Sequence, residues 1–537
     1  MLIHACPVQF RRTYFTGVIR GFFFLLVFTV VATRTAHDRR VFIMKISISY
    51  PPLQSEKGIP LLSQNRQFQW FSNPTFIYPV VPAYAASLLQ ARGHEVFWDD
   101  GIAEGLSFEQ WLKRIKREKP DIIALESKTP VIKRHWKVIR EIKRECSWNP
   151  TTVLLGDHVT ALPEESMLNS EVDYVITGGD YDFSMLNLCD YLDQIRNQKS
   201  KSGYSLEPGI WFRKNEEIGN TGKFCLNHDL SSLPLIDRDL TRWELYAYRN
   251  GNFKYTPGTY TMAGRDCWWG RCSFCSWTTL YPGKTYRTVP VEHQIEEVGH
   301  LVKDYKFREI FDDSGCFPKG EWLHSFCEGI IKLGYNRKVV LGCNMRVGAL
   351  SHEDWDLMKK ANFRFILIGL ESVVQSTLDR LNKGIRVQQI EQTVSMAKKA
   401  GLEPHITTMV GYPWESKREA EQTISFAKNL FSKGYVDTLQ ATIVVPYPGT
   451  PMFEEAKRNG WLLTENWEDY DMKQSVWKSP VDNEDVMRFT QELYKAALSP
   501  SFLMRKIVSV RNVDDLRYLF RAGRKLMAHV TDFVARN

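Results

Sequence analysis

Three of the ten cysteines of this chain lie within nine residues, at Cys267, Cys272 and Cys275, in a Cys-x4-Cys-x2-Cys pattern. Thiols this close in sequence can form disulfides, bind zinc or hold an iron–sulfur cluster. A disulfide would leave one of the three unpaired, and a closed zinc site needs four ligands, usually two separated pairs or added histidines. The chain has no second Cys-x2-Cys, and the nearest histidine downstream is His293. Three thiolates suit a [4Fe–4S] cluster with one iron open to a small chelating molecule, and zinc stays open as the alternative.

Composition excludes several classes of protein. The chain has 537 residues, of which 43% are hydrophobic and 25% charged, a balance typical of a globular chain with two or three cores. The net charge of +8 is modest for this length, and no arginine-rich arm or RNP-like motif indicates nucleic acid as a partner. The other seven cysteines are scattered without framework spacing. Free thiols are typical of a reducing compartment, so we predict a cytoplasmic protein.

The amino-terminal segment is unusual. Basic residues precede an apolar run at residues 21–32, which at twelve residues is too short for the roughly 20 of a membrane-spanning helix and has the character of a signal-peptide core. Met44 then begins a clean strand pattern. We favour a chain that starts at Met44, with residues 1–43 as an extension, and a short membrane anchor is the alternative.

The elements that must position the cysteines fall into two β/α series. In the first, residues 44–191, short β-rich runs alternate with helical stretches, which predicts a doubly wound, Rossmann-like parallel sheet. The predicted strands are Met44–Tyr50, Glu95–Trp98, Asp121–Leu125, Thr152–Leu155 and Val172–Ile176, and the predicted helices are Pro82–Arg92, Phe108–Glu118 and Ile132–Cys146.

Ligands of such sheets bind beyond the carboxyl ends of the strands. Three loops at that edge are rich in small or hydroxyl residues, which would let a bulky ligand approach the backbone. The alternative is that their glycines only form tight turns. The candidate ligand-binding residues are Ser127, Thr129, Gly156, Asp157, His158, Gly178 and Gly179.

The second series, residues 256–463, follows a less regular linker with a small hairpin at residues 192–255. It contains six strand–helix units, and polar, glycine-rich residues follow the strands, as in barrel active sites. We therefore predict a partial (β/α)6 barrel of the TIM type. Its strands are predicted at Thr259–Gly264, Glu309–Phe311, Val339–Asn344, Phe363–Gly369, Glu403–Val410 and Asp437–Val445.

Residues 464–537 are predicted to form a carboxyl-terminal helical region. The last 37 residues contain eight Lys and Arg against three Asp. We interpret this excess as a solvated helical face, with a site for an anionic substrate or a membrane surface as the alternative.

Over residues 44 to 535, the chain resembles the cobalamin-binding radical SAM enzymes in the order of its motifs. The cysteines follow the first strand of the second series, as in that family, and Phe274 is the aromatic residue before the last cysteine. The family spacing is Cys-x3-Cys-x2-Cys, so this chain has one extra residue, and we predict that residues 268–271 bulge outward. The further matching motifs are Asp312-Asp313-Ser314-Gly315, Cys343-Asn344-Met345-Arg346, Gly369-Leu370-Glu371-Ser372, Leu381-Asn382-Lys383-Gly384, Gly411-Tyr412-Pro413-Trp414-Glu415 and Pro446-Tyr447-Pro448-Gly449-Thr450-Pro451.

The first domain also resembles the cobalamin-binding domain of this family. Residues 156–160 are similar to its Gly-Gly-x-His-Ala-Thr loop, and residues 172–180 to its Val-Asp-Tyr-Val…Gly-Glu-Gly-Glu loop. The Asp-x-His-x-x-Gly signature, which supplies a histidine to cobalt in other cobalamin proteins, is absent. We therefore expect His158 to pack or form hydrogen bonds in its loop.

The resemblance implies a set of cofactor roles. The three motif cysteines would hold a [4Fe–4S] cluster whose fourth iron chelates S-adenosylmethionine (SAM), and reductive cleavage would give a 5′-deoxyadenosyl radical. Alternatives within the chain are that Asp312 caps a helix and that Glu371 pairs with Arg346. The implied SAM-binding residues are Asp312 and Asp313 for the amino group, Glu371 for the ribose, Phe274, Gly411 and Tyr412 for adenine, and Ser314, Arg346 and Ser372 nearby.

The implied activity is methylation of an unactivated carbon in a small-molecule substrate, with cobalamin and with electrons from a reductase or a flavodoxin or ferredoxin. One alternative is radical oxidation, cyclisation or ring rearrangement of a tetrapyrrole, lipid or other natural product. Another is a non-enzymatic cluster or cobalamin sensor, although no signalling domain is visible. Aromatic residues around the cysteines either pack the loop or line a flat substrate pocket.

Overall fold

The first sheet is built from apolar strands between Lys45 and Ile176. A computed structural model describes residues 43–53, 55–60, 62, 69–196, 205–214, 216–496 and 499–532. The predicted extension, except Ile43, lies outside the described residues. The strands of this part of the chain are β1 (Lys45–Tyr50), β2 (Ile59–Pro60), β3 (Trp70–Phe71), β4 (Glu95–Asp100), β5 (Ile122–Glu126), β6 (Thr151–Leu155), β7 (Tyr174–Ile176), β8 (Ile210–Lys214) and β9 (Glu217–Asn220). Of these, β2 and β3 form a separate antiparallel pair.

This sheet is doubly wound, as predicted. Its strand order is β4-β1-β5-β6-β7-β8-β9, and every pair from β4 to β7 is parallel. All five residues of β5 are buried, because helices cover both faces of a parallel sheet. The helices are α1 (Val80–Ala91), α2 (Gly101–Glu104), α3 (Phe108–Glu118), α4 (Ile132–Glu145), α5 (Asp157–Ala161), α6 (Pro163–Asn169) and α7 (Tyr181–Arg196).

The hairpin predicted within residues 192–255 is formed by β8 and β9. It extends the first sheet, because β8 pairs antiparallel with β7 and β9 pairs with β8. A short helix, α8 (Glu244–Ala247), precedes the second series. This pairing was not predicted, because the partner of a strand is set by packing between residues far apart in sequence.

The second sheet has six strands in chain order, all parallel, and forms the predicted partial barrel. Its first and last strands do not pair with each other. A two-stranded antiparallel hairpin between the first two barrel strands frames the cysteine loop. The six barrel strands are β10 (Gly258–Thr261), β13 (Glu309–Asp312), β14 (Val340–Met345), β15 (Phe363–Glu371), β16 (Glu403–Val410) and β17 (Thr438–Ile443), and the hairpin consists of β11 (Gly264–Arg265) and β12 (Arg287–Thr288).

Helices pack their apolar faces against this sheet. Several begin with side-chain caps that the sequence encodes: Ser351 with Asp354, and Ser416 with Glu419, each form reciprocal capping pairs. The helices are α9 (Trp277–Leu280), α10 (Val291–Lys303), α11 (Glu321–Lys332), α12 (His352–Lys360), α13 (Gln375–Arg380), α14 (Val387–Lys399), α15 (Lys417–Ser432) and α16 (Pro451–Arg458).

The carboxyl-terminal region is helical, as predicted, with α17 (Asn483–Ala496), α18 (Pro500–Val508) and α19 (Val513–Asp532). Helix α17 lies against the last barrel strand: the hydroxyl of Tyr494 donates to the carbonyl oxygen of Ala441 at 3.0 Å. Within the described part of the chain, no helix combines the length and the apolar character needed to cross a membrane.

Candidate functional site

The acidic motif after β13 fixes the backbone that enters the cysteine loop. Asp312 accepts a hydrogen bond from the amide of Ala263 at 2.7 Å, and Ser314 Oγ accepts one from the amide of Gly264 at 2.8 Å. Burial raises the pKa of Asp312 to about 6. These two residues of the motif therefore position the loop.

The other side of the loop is tied to two further motifs. The amide of Ser273 donates to the carbonyl oxygen of Leu381 at 2.9 Å, and the carbonyl oxygen of Ser273 accepts from the amide of Met452 at 2.9 Å. Motifs about 110 and 180 residues downstream in sequence thus meet between the second and third cysteines.

The three motif cysteines line one cavity of about 230 Å³ at the carboxyl ends of the barrel strands. Phe274 and Trp277 form part of its wall. Among the described residues, no group of three or more His, Cys, Asp or Glu side chains is arranged so that it could hold a single metal ion.

Four charged side chains face the same cavity: Asp313, Arg346, Glu371 and Lys383. Glu371 pairs with Lys383, Oε1 to Nζ at 2.6 Å, and not with Arg346. Burial lowers the pKa of Lys383, but attraction to Glu371 outweighs it and raises the pKa above its ordinary value. The wall thus offers anionic and cationic groups to a zwitterionic ligand.

The extra residue of the cysteine loop is accommodated by two tryptophans. The indole N–H of Trp268 donates to the carbonyl oxygen of Phe317 at 3.1 Å, and that of Trp269 to Asn382 at 2.8 Å. The guanidinium of Arg346 lies 3.8 Å from the centre of the Trp269 ring. Gly270 takes a left-handed φ of 56° and Arg271 is exposed, but Trp269 lines the cavity together with the three cysteines, so only the end of the segment turns outward.

A fourth thiol, Cys316, also lines this cavity. Its hydrogen bond to Cys267 is the main cause that lowers the pKa of Cys267 to about 6, and the pKa of Cys316 is raised in turn. Burial raises the pKa of Cys272 to about 11. The three motif thiols are thus unequal before any metal binds.

Five of the predicted SAM-binding residues do not line this cavity. Asp312 and Ser314 hold the cysteine loop, as described, so Asp312 does not cap a helix. Ser372 Oγ donates to Glu415 at 2.6 Å. The carbonyl oxygen of Gly411 accepts from Trp477 Nε1 at 2.8 Å, and Tyr412 is buried among apolar residues. These residues support the wall from behind.

The predicted edge of the first sheet faces the barrel mouth. His158 is buried; its Nδ1 lies 3.1 Å from Thr129 Oγ1 and its Nε2 3.2 Å from Glu165. Ser127 Oγ lies 2.7 Å from His135 Nδ1, and Asp157 pairs with Lys128 at 2.9 Å. His158 is thus held by residues of a neighbouring loop and of helix α6, and not within its own loop.

The two glycines after β7 pack against protein. A side chain at Gly179 would collide with the Tyr281 ring at 2.1 Å, and one at Gly178 with Phe224 at 2.6 Å. Gly156, at φ 118°, leaves no room for a side chain beside the carbonyl oxygen of Ser127. Gly179 therefore lets the first domain approach the helix that follows the cysteines.

Buried ion pairs join the same two parts of the chain. Arg265, two residues before Cys267, contacts Asp182 bidentately and Asp180 at 3.4 Å. Arg287 also binds Asp180, at 2.7 Å. Burial raises the pKa of Asp180, but hydrogen bonds from His228 and Arg287 outweigh it and lower the pKa well below its usual range.

Sequence reasoning missed several residues of the wall. Lys383 lies in a motif that was recognised, but its pairing with Glu371 twelve residues earlier was not. Cys316 is adjacent to the acidic motif in sequence and carried no spacing signal. Arg265 and Asp182 are remote in sequence, so only the packing of the two sheets reveals their pairing.

Comparison with known proteins agrees with this geometry. Residues 263–427 match the Radical SAM superfamily. An uncharacterized methyltransferase of Pyrococcus horikoshii is 29% identical over 441 residues, covering 81% of this chain and 90% of the relative. An anaerobic magnesium-protoporphyrin IX monomethyl ester cyclase of Rubrivivax gelatinosus is 25% identical, covering 76% of this chain and 70% of that protein.

Two solved structures share the fold over most of the chain. The cobalamin-dependent SAM radical enzyme OxsB superposes with a TM-score of 0.64 at 14% identity, covering 91% of this chain and 72% of that one. The radical SAM methyltransferase TsrM of Kitasatospora setae gives a TM-score of 0.62 at 12% identity, covering 91% and 99%.

A partial barrel with three thiols at its mouth, together with these matches, defines an iron–sulfur enzyme that uses SAM. Residues 263–427 form a radical SAM domain, and the fold of the chain is similar to that of the cobalamin-dependent enzymes OxsB and TsrM. The donor set fits the cluster, because three thiols share one cavity with the ammonium group of Lys383.

Proposed function

We propose that this enzyme methylates an unactivated carbon of a small molecule, using a [4Fe–4S] cluster, SAM and cobalamin. The observation that carries the proposal is the shared cavity of the three motif thiols, Glu371 and Lys383 at the mouth of a six-stranded barrel. A methyltransferase relative that covers 81% of the chain supports the reaction type.

In this proposal Cys267, Cys272 and Cys275 hold the cluster, and SAM occupies the rest of the cavity. When bound, the reduced cluster supplies the electron that cleaves SAM to methionine and a 5′-deoxyadenosyl radical. Glu371 and Asp313 accept hydrogen bonds from SAM hydroxyl and amino groups, and Phe274 covers one face of the site. The protein orients these parts and excludes water.

We place cobalamin between the carboxyl edge of the first sheet and the cysteine loop. When bound, it supplies a methyl carrier. Helix α5 packs against α9 here, and a side chain at Gly449 would touch Ala161 and Thr279, so the two domains meet at this edge. The rings of Tyr281 and Phe224 cover the glycines at the edge. Both rings would have to move to make room for the corrin ring of cobalamin.

Because both nitrogens of His158 are engaged within the protein, it is not free to ligate cobalt. We expect His158→Gln to bind added hydroxocobalamin with the same visible spectrum as the wild-type protein. Loss of the cobalamin bands in wild type would contradict cobalamin binding. A spectral shift confined to the variant would contradict only the ligand assignment.

The experiment that tests the reaction is product analysis with SAM carrying a deuterated methyl group. Methylation consumes one SAM to form the radical and a second SAM as the methyl donor, so we expect 5′-deoxyadenosine and S-adenosylhomocysteine together. We also expect deuterium in a product when a cell extract supplies the substrate. Cluster-loaded protein that forms 5′-deoxyadenosine without S-adenosylhomocysteine would contradict methylation but keep the radical SAM chemistry.

Formation of 5′-deoxyadenosine without S-adenosylhomocysteine would favour the alternative, radical oxidation or cyclisation of a tetrapyrrole. Two cyclases of magnesium-protoporphyrin IX monomethyl ester at 25% identity support it. An electron donor such as a flavodoxin or ferredoxin and a reducing, cytoplasmic compartment are part of either proposal, because the cluster must be reduced.

Glu371 offers a sharper test of the SAM site. We expect Glu371→Gln in the cluster-loaded protein to weaken SAM binding about 10- to 100-fold, because a hydrogen bond to a charged group contributes roughly 1.5–3 kcal/mol. Equilibrium dialysis with labelled SAM measures this. The matched control is Glu415→Gln, since Glu415 is also buried but binds Ser372 outside the cavity. Equal losses in both variants would contradict the role of Glu371.

A further inference from the structure

Helices α18 and α19 expose large apolar side chains to an unusual extent. The described residues include fifteen exposed large apolar side chains, and eight lie between residues 503 and 527. Their exposures run from 43% for Leu503 to 77% for Val508. Isolated exposed apolar residues are ordinary, but a contiguous group of them marks an interaction site.

These side chains form a stripe on each helix. Helix α18 presents the first four and helix α19 the second four, each at the spacing that keeps residues on one helical face. We call the two stripes together the carboxyl-terminal face. Its apolar members are Leu503, Met504, Ile507, Val508, Val513, Leu516, Phe520 and Met527.

The exposed charges of this face are all positive. The exposed charged residues between 503 and 527 are four arginines, and no carboxylate in that segment is exposed. Asp514 pairs with Arg308 at 2.6 Å, and Asp515 is buried and pairs with Lys254 at 2.8 Å. The four arginines are Arg505, Arg511, Arg517 and Arg524.

A cationic cavity of about 370 Å³ adjoins the turn between the two helices. Six lysines and arginines line it against three carboxylates, and Lys506 and Arg511 belong to both the cavity and the helical region. Three cationic neighbours contribute to lowering the pKa of Lys359, after burial as the main cause. The positive potential of the face therefore continues into the protein.

We infer that the carboxyl-terminal face docks on an anionic lipid bilayer. An apolar stripe flanked by arginines is the composition of helices that lie in the membrane interface, and juxtaposed cations attract anionic headgroups. A partner protein is less well matched, since nothing on this face offers the mixed charges that fix a protein register.

The positions of the two cavities along the barrel also set the orientation of the protein on the bilayer. The cationic cavity is lined by Val340, Arg364 and Glu403, which stand at the beginnings of barrel strands, whereas Met345, Glu371 and Met409, at or near their ends, line the cysteine cavity. The docking face therefore lies at the end of the barrel opposite the catalytic mouth, which stays turned toward the aqueous phase.

Co-sedimentation of the full chain with vesicles tests this inference. We expect binding to vesicles of equal parts phosphatidylcholine and phosphatidylglycerol, little binding to phosphatidylcholine alone, and weakening by salt. Ile507→Glu with Phe520→Glu should reduce binding at least about tenfold. Arg517→Gln with Arg524→Gln should reduce it by roughly fivefold for each arginine. The matched control is Leu168→Glu, an equally exposed apolar residue on α6, which should bind like wild type.

Hydrogen exchange with and without vesicles locates the contact. We expect slower exchange across residues 503–527 and no change around Leu168. Binding that persists in the double glutamate variant, or protection confined to residues 1–42, would overturn the inference and assign membrane contact to the amino-terminal segment. Failure of the wild-type chain to bind vesicles, with a dimer in solution that Phe520→Glu dissociates, would overturn it in favour of a second copy.

Discussion

Cys275→Ala is expected to abolish SAM cleavage. Its thiol shares the cavity with Cys267 and Cys272, and loss of one of three thiolates leaves an iron without its protein ligand. Replacing residues that only support metal ligands already lowers affinity or activity roughly 10- to 100-fold, so we expect more than about 100-fold for a ligand itself. The measurement is iron and sulfide content after anaerobic reconstitution, with the rate of 5′-deoxyadenosine formation.

The fourth thiol provides the control. Cys316 lines the same cavity and hydrogen-bonds Cys267, but lies outside the motif. We expect Cys316→Ala to retain the cluster and to cleave SAM at a rate within about threefold of wild type, as for removal of one ordinary hydrogen bond. If Cys316→Ala loses the cluster while Cys267→Ala keeps it, the ligand set is Cys272, Cys275 and Cys316.

Arg265→Met is expected to destabilise the protein by about 3–5 kcal/mol, because removing one partner of a buried ion pair leaves an uncompensated charge. The side chains of Arg265 and Asp182 are 1% and 0% exposed, and Asp182 has no second cation among its contacts in the structure. Asp180 keeps Arg287 and His228. The measurement is the urea midpoint followed by tryptophan fluorescence.

Two controls separate the ion pair from a general effect of substitution. Lys428→Ala breaks an exposed pair with Glu492, whose side chains are 44% and 34% exposed, and should change stability by at most about 1 kcal/mol. Arg265→Met with Asp182→Leu should recover part of the loss, since the unpaired charge is gone. A double variant as unstable as the single one would show that the buried pair is not what joins the domains.

Much of the fold could be predicted because its signals are local. Buried parallel strands read as apolar runs, and the helix Phe108–Glu118 has the predicted bounds because a capping box and apolar periodicity mark it. A small hairpin was predicted within residues 192–255 without bounds, and its pairing with β7 was not predicted, since strand partners are set by distant packing.

The site was predictable to the extent that its residues sit directly after strands. Cys267, Glu371 and Arg346 were found in this way, and all three line the cavity. Asp312 follows the same rule but turns to hold the backbone of Ala263. Which of two adjacent acidic residues faces a ligand depends on the pleat and the register of the strand, which motif order does not specify.

The open edge of the barrel has a consequence for how the protein meets other molecules. Strands β10 and β17 do not pair, and α17 stands against β17, where Tyr494 both donates to the carbonyl oxygen of Ala441 and accepts from its amide. Val486, Phe489 and Leu493 of the same helix are buried in the barrel core. Helix α17 therefore covers the free edge of β17, and a covered edge cannot pair with a strand of another molecule.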